Sequence, residues 1–281
     1  MSNQDGIIKH ITEQAEKFKR THYRQNSNIP KEYMNYIWGD KAVNGKKLYD
    51  SFFASKNKRV NKATAKTRKN AYNVAKDYSS NILKNTEDGK SLLFIGGQDT
   101  GKTVLATLIL RDAINLLSKE VLFVSFSEFV LEANTANFRE HIDSMAEKYI
   151  EPKFLCLDNM NNKTLKTKIQ ECLEYILTER RYAKNPTIIT SKISMSELFN
   201  VVGESVFSLL NDPKIYKRVD IRSYDEEGFL GEGGSADILY TGNLFNVEKT
   251  MKLLDFYRRK YGVEIDYKNI QKILYESISG K

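Results

Sequence analysis

The sequence predicts an α/β fold, a parallel β-sheet with helices on both faces, preceded by a short helical segment and followed by a helical extension. Two observations carry this. From residue 91 onward, short β-rich apolar runs alternate with stretches of helical spacing, the pattern of strands joined by crossover helices. The first run leads straight into a glycine-rich octet that opens a helix.

The elements follow in order. Residues 1–27 read as one short amphipathic helix, with Ile7, Ile8, Ile11, Ala15 and Phe18 at helical spacing and a polar stretch through Ser27. Asn28-Ile29-Pro30 stops it, and the aromatics Tyr33, Tyr36 and Trp38 follow. Residues 64–83 form a second helix in which Ala71, Val74, Ala75 and Tyr78 share a face, and Asp88-Gly89 closes it with a turn. Strands are expected at residues 91–95, 121–126, 154–157, 187–190 and 219–221, with a helix at 104–117. The glycine-rich stretch 228–234 reads as a surface loop, and residues 247–261 and 267–277 as helices. Four segments result: 1–27, a helix and candidate partner contact; 28–88, helical and basic; 89–224, the α/β core; 225–281, loop and helical extension.

Composition narrows the class. With 41% apolar and 28% charged residues, the 281-residue chain can bury an ordinary core. No run of about 18 apolar residues is present, so the chain is expected to be cytoplasmic, with no membrane partner. Cys156 and Cys172 sit in apolar segments without CxxC or Cys/His spacing, which points to buried thiols rather than a metal site. The net charge of +8 is concentrated: residues 41–76 hold eleven basic side chains against one acid, Asp50. Such a block attracts a polyanion, or else forms a solvated helix face.

The octet is Gly96-Gly97-Gln98-Asp99-Thr100-Gly101-Lys102-Thr103, a complete G-x-x-x-x-G-K-[ST] between a strand and a helix that begins at Val104. Glycines let backbone N–H groups wrap a β-phosphate, and the helix N-terminus adds its positive end. This is the phosphate loop of a P-loop NTPase, with ATP or ADP as ligand. Lys102 is expected on the β- and γ-phosphates and the Thr103 hydroxyl on Mg²⁺. Asp158 closes the apolar run Phe154-Leu155-Cys156-Leu157 and is the candidate second residue of the metal site. The next position, where fast ATPases carry a water-polarising acid, is Asn159; hydrolysis should be slow unless Asp99, Glu128 or a partner subunit helps. Thr190 or Ser191, at the end of the following strand, could touch the γ-phosphate or the attacking water.

From about residue 28 to 224 the chain resembles the DnaC/DnaI-type bacterial helicase loaders and the related IstB transposition ATPases, a branch of the AAA+ superfamily. The residues that carry the resemblance are Asn28-Ile29-Pro30 with Tyr33, the stretch 71–81 leading into Gly89-Lys90-Ser91-Leu92-Leu93-Phe94, and the phosphate loop. Val121-Leu122-Phe123, Leu157-Asp158, Glu179-Arg180-Arg181-Tyr182 and Pro186-Thr187-Ile188-Ile189-Thr190-Ser191 complete it. The resemblance implies an ATP-controlled, DNA-binding protein that oligomerises and helps a DnaB-type hexameric helicase onto single-stranded DNA. It makes Thr190 or Ser191 the first sensor, with Lys192 where relatives often have Asn. It also implies two arginines in the stretch 202–210, one sensing nucleotide and one reaching a neighbouring subunit; here those places hold Ser205 and Leu209. Arg218 or Arg222 could substitute from a shifted position. Loaders usually carry a longer N-terminal module, in some with zinc-binding cysteines, whereas about 27 cysteine-free residues precede the match here. Three readings stay open: a loader or loader-like factor with weak hydrolysis, an IstB-like target-DNA ATPase, and a hydrolysis-deficient regulator of a helicase or loader.

Overall fold

The computed structural model describes residues 3–33, 36, 38, 62–135, 142–161 and 164–221. The chain forms two compact units, Met1–Glu226 and Glu227–Lys281. The second, with the expected loop at 228–234 and helices at 247–261 and 267–277, lies outside the described residues. So do Arg222 and residues 41–61 of the basic block.

Five parallel strands make one sheet in the order β2-β3-β4-β1-β5. They are β1 (Ser91–Ile95), β2 (Val121–Ser125), β3 (Phe154–Met160), β4 (Thr187–Ser191) and β5 (Tyr216–Asp220). The helices are α1 (Asn3–Asn26), α2 (Lys62–Ser80), α3 (Ile82–Glu87), α4 (Lys102–Leu117), α5 (Phe126–Thr135), α6 (Ile142–Tyr149), α7 (Thr167–Tyr182) and α8 (Met195–Leu210), with a 3₁₀ turn at Lys31–Tyr33. Alternation along each strand splits the core in two. Leu93, Ile95, Leu122, Val124, Leu155, Leu157 and Ile189 face α5, α6, α7 and α8. Leu92, Phe94, Val121, Phe123, Phe154, Cys156 and Ile188 face α2 and α4. A strand buried on both faces has no polar side to show, and the sequence accordingly presents its middle as an apolar run, with hydroxyl residues confined to the strand ends.

Three boundaries differ most from expectation; the helix expected at 104 begins at Lys102, and β2 and β4 end within one residue of the expected positions. β3 runs on through Asp158 to Met160, with the register irregular between Leu157 and Met160. β5 begins three residues before the expected 219, because its exposed Lys217 and Arg218 hide the strand pattern at an edge. The helix expected at 64–83 breaks at Asn81, and Leu83 is exposed on the short helix that follows.

The N-terminal helix also departs from its amphipathic reading. Ile11 and Phe18 are 61% and 74% exposed. α1 instead packs Tyr23 on the core and meets α4 through polar contacts: Arg20 donates to Ser118 (2.9 Å) and Arg24 to Asn115. Of the aromatics after Pro30, Tyr33 and Trp38 pack on the core while Tyr36 is exposed. Trp38 sits edge-on to Tyr72, with ring centroids 5.6 Å apart, and donates its indole N–H to Asp112 on α4 (2.6 Å), an oxygen that also accepts from Ser79. On α2, Lys66, Lys69 and Lys76 are exposed while Arg68 is buried. Cys156 and Cys172 are both buried and unbridged, and burial raises the pKa of each thiol, that of Cys172 to about 11.

The N-terminal edge of the sheet is fixed by a buried cation. Arg180 on α7 is 1% exposed and donates to the carbonyls of Tyr149, Ile150, Pro152, Lys153 and Pro186 and to the Thr187 hydroxyl. Burial pulls its pKa down to about 9, which leaves it protonated at neutral pH. One guanidinium thus ties the start of β3 to the start of β4. Arg180→Leu takes a donor from five carbonyls, of which those of Ile150 and Pro186 keep a second one from Asn185 and Leu155, and is expected to destabilise the fold by about 3 kcal/mol; Arg180→Lys, with fewer donors and no planar fork, recovers only part. Urea unfolding of the three proteins measures both.

Candidate functional site

The C-terminal edge of the sheet collects the polar residues that the apolar strands exclude. β1 ends at Ile95, and the chain turns at once into residues 96–101 and then α4. The turn is held at its root: Gly96 N–H donates to the Ser191 carbonyl (3.1 Å), and Ile221 N–H donates to the Ile95 carbonyl (2.7 Å). A Cβ at Gly96 would lie 2.0 Å from the Ile221 oxygen, so only glycine passes this crossing. Gly101, at φ 87°, caps α4 in the left-handed region and offers no side chain to the first N–H groups of the helix. Those groups and the positive end of α4 are thereby available to an anion.

Lys102 is 7% exposed, and its ammonium is folded into the loop. It donates to the carbonyl of Gly96 (2.6 Å), to that of Gly97, and to the Thr100 hydroxyl (3.0 Å). An ammonium held inside a ring of backbone in this way puts a positive charge at the centre of the loop, beside the N-terminal end of α4.

Beside this loop stands a hydroxyl–carboxylate cluster. A single oxygen of Asp158 accepts from Thr103 (2.9 Å) and from Thr190 (2.7 Å), and the Thr190 oxygen accepts the Asn159 N–H (2.8 Å). Asp158 is 9% exposed and Thr190 fully buried. Asn159 sits at φ 63°, a left-handed conformation that asparagine tolerates, and its side chain is exposed. Three elements thus converge on one carboxylate: the start of α4, the end of β3 and the end of β4.

A family model for IstB-like ATP binding proteins matches residues 67–211, just over half of the chain. The chain belongs to this family. An ATP-binding protein of insertion sequence IS5376 from Geobacillus stearothermophilus is 28% identical over 119 residues, which cover 42% of this chain and 47% of that protein; the chain spans about half the length of this curated relative. Two solved structures share the fold. A crystal structure of the DnaC helicase loader matches with a TM-score of 0.50 at 21% identity, covering 68% of this chain and 99% of the loader. A crystal structure of DnaI matches with a TM-score of 0.50 at 17% identity, covering 70% and 96%. The fold is the P-loop, AAA+-like one: a parallel five-stranded sheet flanked by helices.

Within this IstB-like domain, the residues singled out from sequence divide into those the fold gathers and those it does not. Thr103, Asp158 and Thr190 meet, and Lys102 is folded into the adjoining loop; Val104, in the first turn of α4, is half-buried against the core; Gln98 and Asp99 are exposed on the loop. Neither Asp99 nor Glu128, the two acids considered as helpers, joins the cluster; Glu128 is exposed in the first turn of α5, its N–H bonded to Ser125. Ser191 turns away, bonding Ile193 on both its donor and acceptor sides. Ser205 is exposed, and Leu209 packs against the apolar core below α8, which is broken at Gly203 (φ 80°). Arg218 pairs with Asp220 (2.9 Å) and lines a cleft of about 560 Å³ at the opposite edge of the sheet, with Lys90 and Ser91.

The sequence marks Tyr33 as part of an aromatic cluster and of the family resemblance, not as a neighbour of the site. The 3₁₀ turn sets it against α4, where burial raises its pKa first, then Glu32, then the carboxylate of Asp158. The Asn-Ile-Pro stop was the available signal, but nothing in it tells which helix the turn will lie on. Thr190→Val keeps the shape of the cluster, removes one bond to the carboxylate and orphans the Asn159 N–H. It is expected to destabilise the domain by about 2 kcal/mol, read as a thermal midpoint several degrees lower.

Proposed function

We propose that the chain binds a nucleoside triphosphate, ATP in the cell, between residues 96 and 104, and uses it to control assembly on DNA. The observation that carries this is the buried Lys102 in a loop of carbonyls directly beside the Thr103–Asp158–Thr190 cluster. Lys102 would hold the β- and γ-phosphates while the first-turn N–H groups of α4 hold the rest of the tail. Thr103 and Asp158 would hold Mg²⁺. Among the described residues no group of three or more His, Cys, Asp or Glu is placed to hold a metal unaided, which suits a cation that takes its remaining ligands from phosphate and water. When bound, Mg²⁺ supplies positive charge to the phosphoryl oxygens. Thr190 orients Asp158 and fixes the peptide of Asn159. With an amide at position 159, and neither Ser205 nor Leu209 able to bring a cation to a subunit junction, hydrolysis is slow.

For the biological role, the reading that the fold favours is a cytoplasmic, oligomeric helicase loader or loader-like factor acting on single-stranded DNA and a DnaB-type helicase, supported by the match to nearly the whole DnaC loader chain. The exposed lysines of α2 suit a phosphodiester backbone, and among the described residues no helix is long and apolar enough to cross a membrane. A second reading, an ATPase that selects target DNA for transposition, is favoured by the family match and by the insertion-sequence relative.

Calorimetry on the full chain should detect Mg·ATP binding that Lys102→Ala abolishes; a parent that binds neither Mg·ATP nor Mg·ADP ends the proposal. Fluorescence anisotropy then separates the roles. Tighter, salt-sensitive binding of a single-stranded oligonucleotide with capture of the helicase supports the loader, and filaments on duplex DNA support the transposition ATPase. Asn159→Glu is expected to raise phosphate release at least about tenfold despite the strain of a glutamate in a left-handed conformation. A parent already turning over as fast as that variant would mean the amide limits nothing.

A further inference from the structure

The junction of α1 with α4 holds more positive charge than its own contacts use. Arg111, Asn115 and Ser118 recur along one stripe of α4, and the C-terminal half of α1 lies on that stripe, with Arg24 donating to Asn115 and Arg20 to Ser118 (2.9 Å). A cation beside the C-cap Ser118 meets the negative end of the helix, which accounts for Arg20. It does not account for Arg111, which lies more than a turn inside the helix. Arg111 is half-buried, and its Nη1 is out of solvent with no hydrogen-bond partner among the described residues. Burial lowers the pKa of Arg111 and the nearby charge of Arg24 lowers it further, against the opposing pull of Asp112. A fold seldom keeps a buried donor unpaired next to a like charge unless something else completes it.

The acids around this junction are already engaged. Asp112 accepts from Trp38 and Ser79, Asp77 accepts from Asn81 (3.2 Å), and Glu16 is held by Ser118, Lys19 and Arg20. Arg24 spends its donor on a neutral amide, which fixes its direction and leaves its charge unmatched.

The charge also continues on both sides. Beyond Glu16, α1 carries Lys17, Lys19, Arg20 and Arg24 with no acid among them. On α2, Lys66, Lys69 and Lys76 are exposed, and Lys76 stands 6.0 Å from the centre of the Tyr72 ring. Tyr72 lies edge-on to Trp38, which bonds Asp112, the neighbour of Arg111. Arg111 thus sits in the middle of a positive band that crosses α1, α4 and α2. A single small anion would need only the arginine pair; a band of this extent suits a chain of phosphates.

We infer that Arg24 and Arg111 form a phosphate clamp, in which a nucleic-acid backbone lying across α1, α4 and α2 places one phosphodiester between the two guanidiniums. This deepens the DNA role proposed above by naming a contact, and it stands apart from the nucleotide, since Lys102 and Thr103 open α4 at its other end. A guanidinium fork matches phosphate oxygens two at a time, and such a contact positions the strand without reading its bases.

The test is fluorescence anisotropy of the full chain with a labelled single-stranded oligonucleotide over a salt series, without nucleotide. Arg111→Gln and Arg24→Gln are each expected to weaken binding at least about fivefold and to flatten the salt slope by about 0.7, the share of one phosphate on a single strand. The double variant should lose less than the product of the two, because both side chains hold the same phosphate. Arg111→Lys keeps the charge and should restore the slope. The thermal midpoint of free Arg111→Gln should not fall, since the change removes a like-charge contact and an unpaired donor; a fall would mark a structural arginine and overturn the inference. So would competition by polyglutamate as strong as that by unlabelled oligonucleotide, which would assign the groove to an acidic protein segment. A parent that binds no oligonucleotide removes the DNA role as well; a parent that binds, with both glutamine variants matching it, removes the clamp alone.

Discussion

The carboxylate of Asp158 is the point on which the working edge of this domain depends. Its oxygen is shared by the hydroxyls of Thr103 and Thr190, which belong to the helix after β1 and to β4 itself. A nearly buried carboxylate is stable only when hydrogen-bonded, so once β3 carries Asp158 inward the neighbouring chain ends must bring donors to it. The loop is thereby drawn against β3 before any ligand arrives. The cost of burying the charge is met by the same contacts that assemble the site.

The opposite edge of the sheet shows how that position is held. Arg180 gathers the carbonyls before β3 and before β4, and Ser91 accepts the Thr187 N–H at the start of β1 and β4 (3.0 Å). From Phe154 to Asp158 and from Thr187 to Thr190 the chain is extended and fully buried. Four strand steps span about 13 Å, so an error in the starting register of β3 or β4 would be delivered undiminished to Asp158 and Thr190. On the other face, Asp112 accepts from Trp38 and Ser79 and ties α4 to α2. The polar residues of this fold lie at the two ends of the strands, where they set where the strands begin and what their ends present.

This distribution explains what could be read from the sequence. β1, β2 and β4 were legible to within a residue because strands buried on both faces are apolar through their middles, with hydroxyl residues only at their ends, and the loop was legible because its glycines and lysine occupy a fixed spacing. Asp158 was legible as the first charge after such a run. The limits of β3 and β5 were not, since Asp158 and Asn159 continue a strand whose pattern has already turned polar, and Lys217 and Arg218 sit on an edge where polar residues are allowed. The face used by α1 was hidden for a related reason. Its helix period is clear, but a period gives a stripe and not its partner, and the contacts formed run through Arg20, Tyr23 and Arg24 instead of Ile11 and Phe18. The shared oxygen joining Thr103 to Thr190 spans 87 residues and has no local signal at all.

The groups that would hold a phosphate and those that would speed its hydrolysis are under different constraints. Lys102, Asp158 and Thr190 are buried, and each is tied into the bonds that shape the loop. Replacing any of them disturbs the fold as well as the ligand. Asn159 and Ser205 are exposed, and the Asn159 contribution to the cluster comes from its backbone N–H, which any residue except proline provides. Leu209 lies partly against the core, where an apolar side chain is the more favourable choice. A chain of this architecture could therefore vary at Ser205 and Leu209 without losing stability or the bonds of the loop, whereas at position 159 the left-handed backbone favours asparagine.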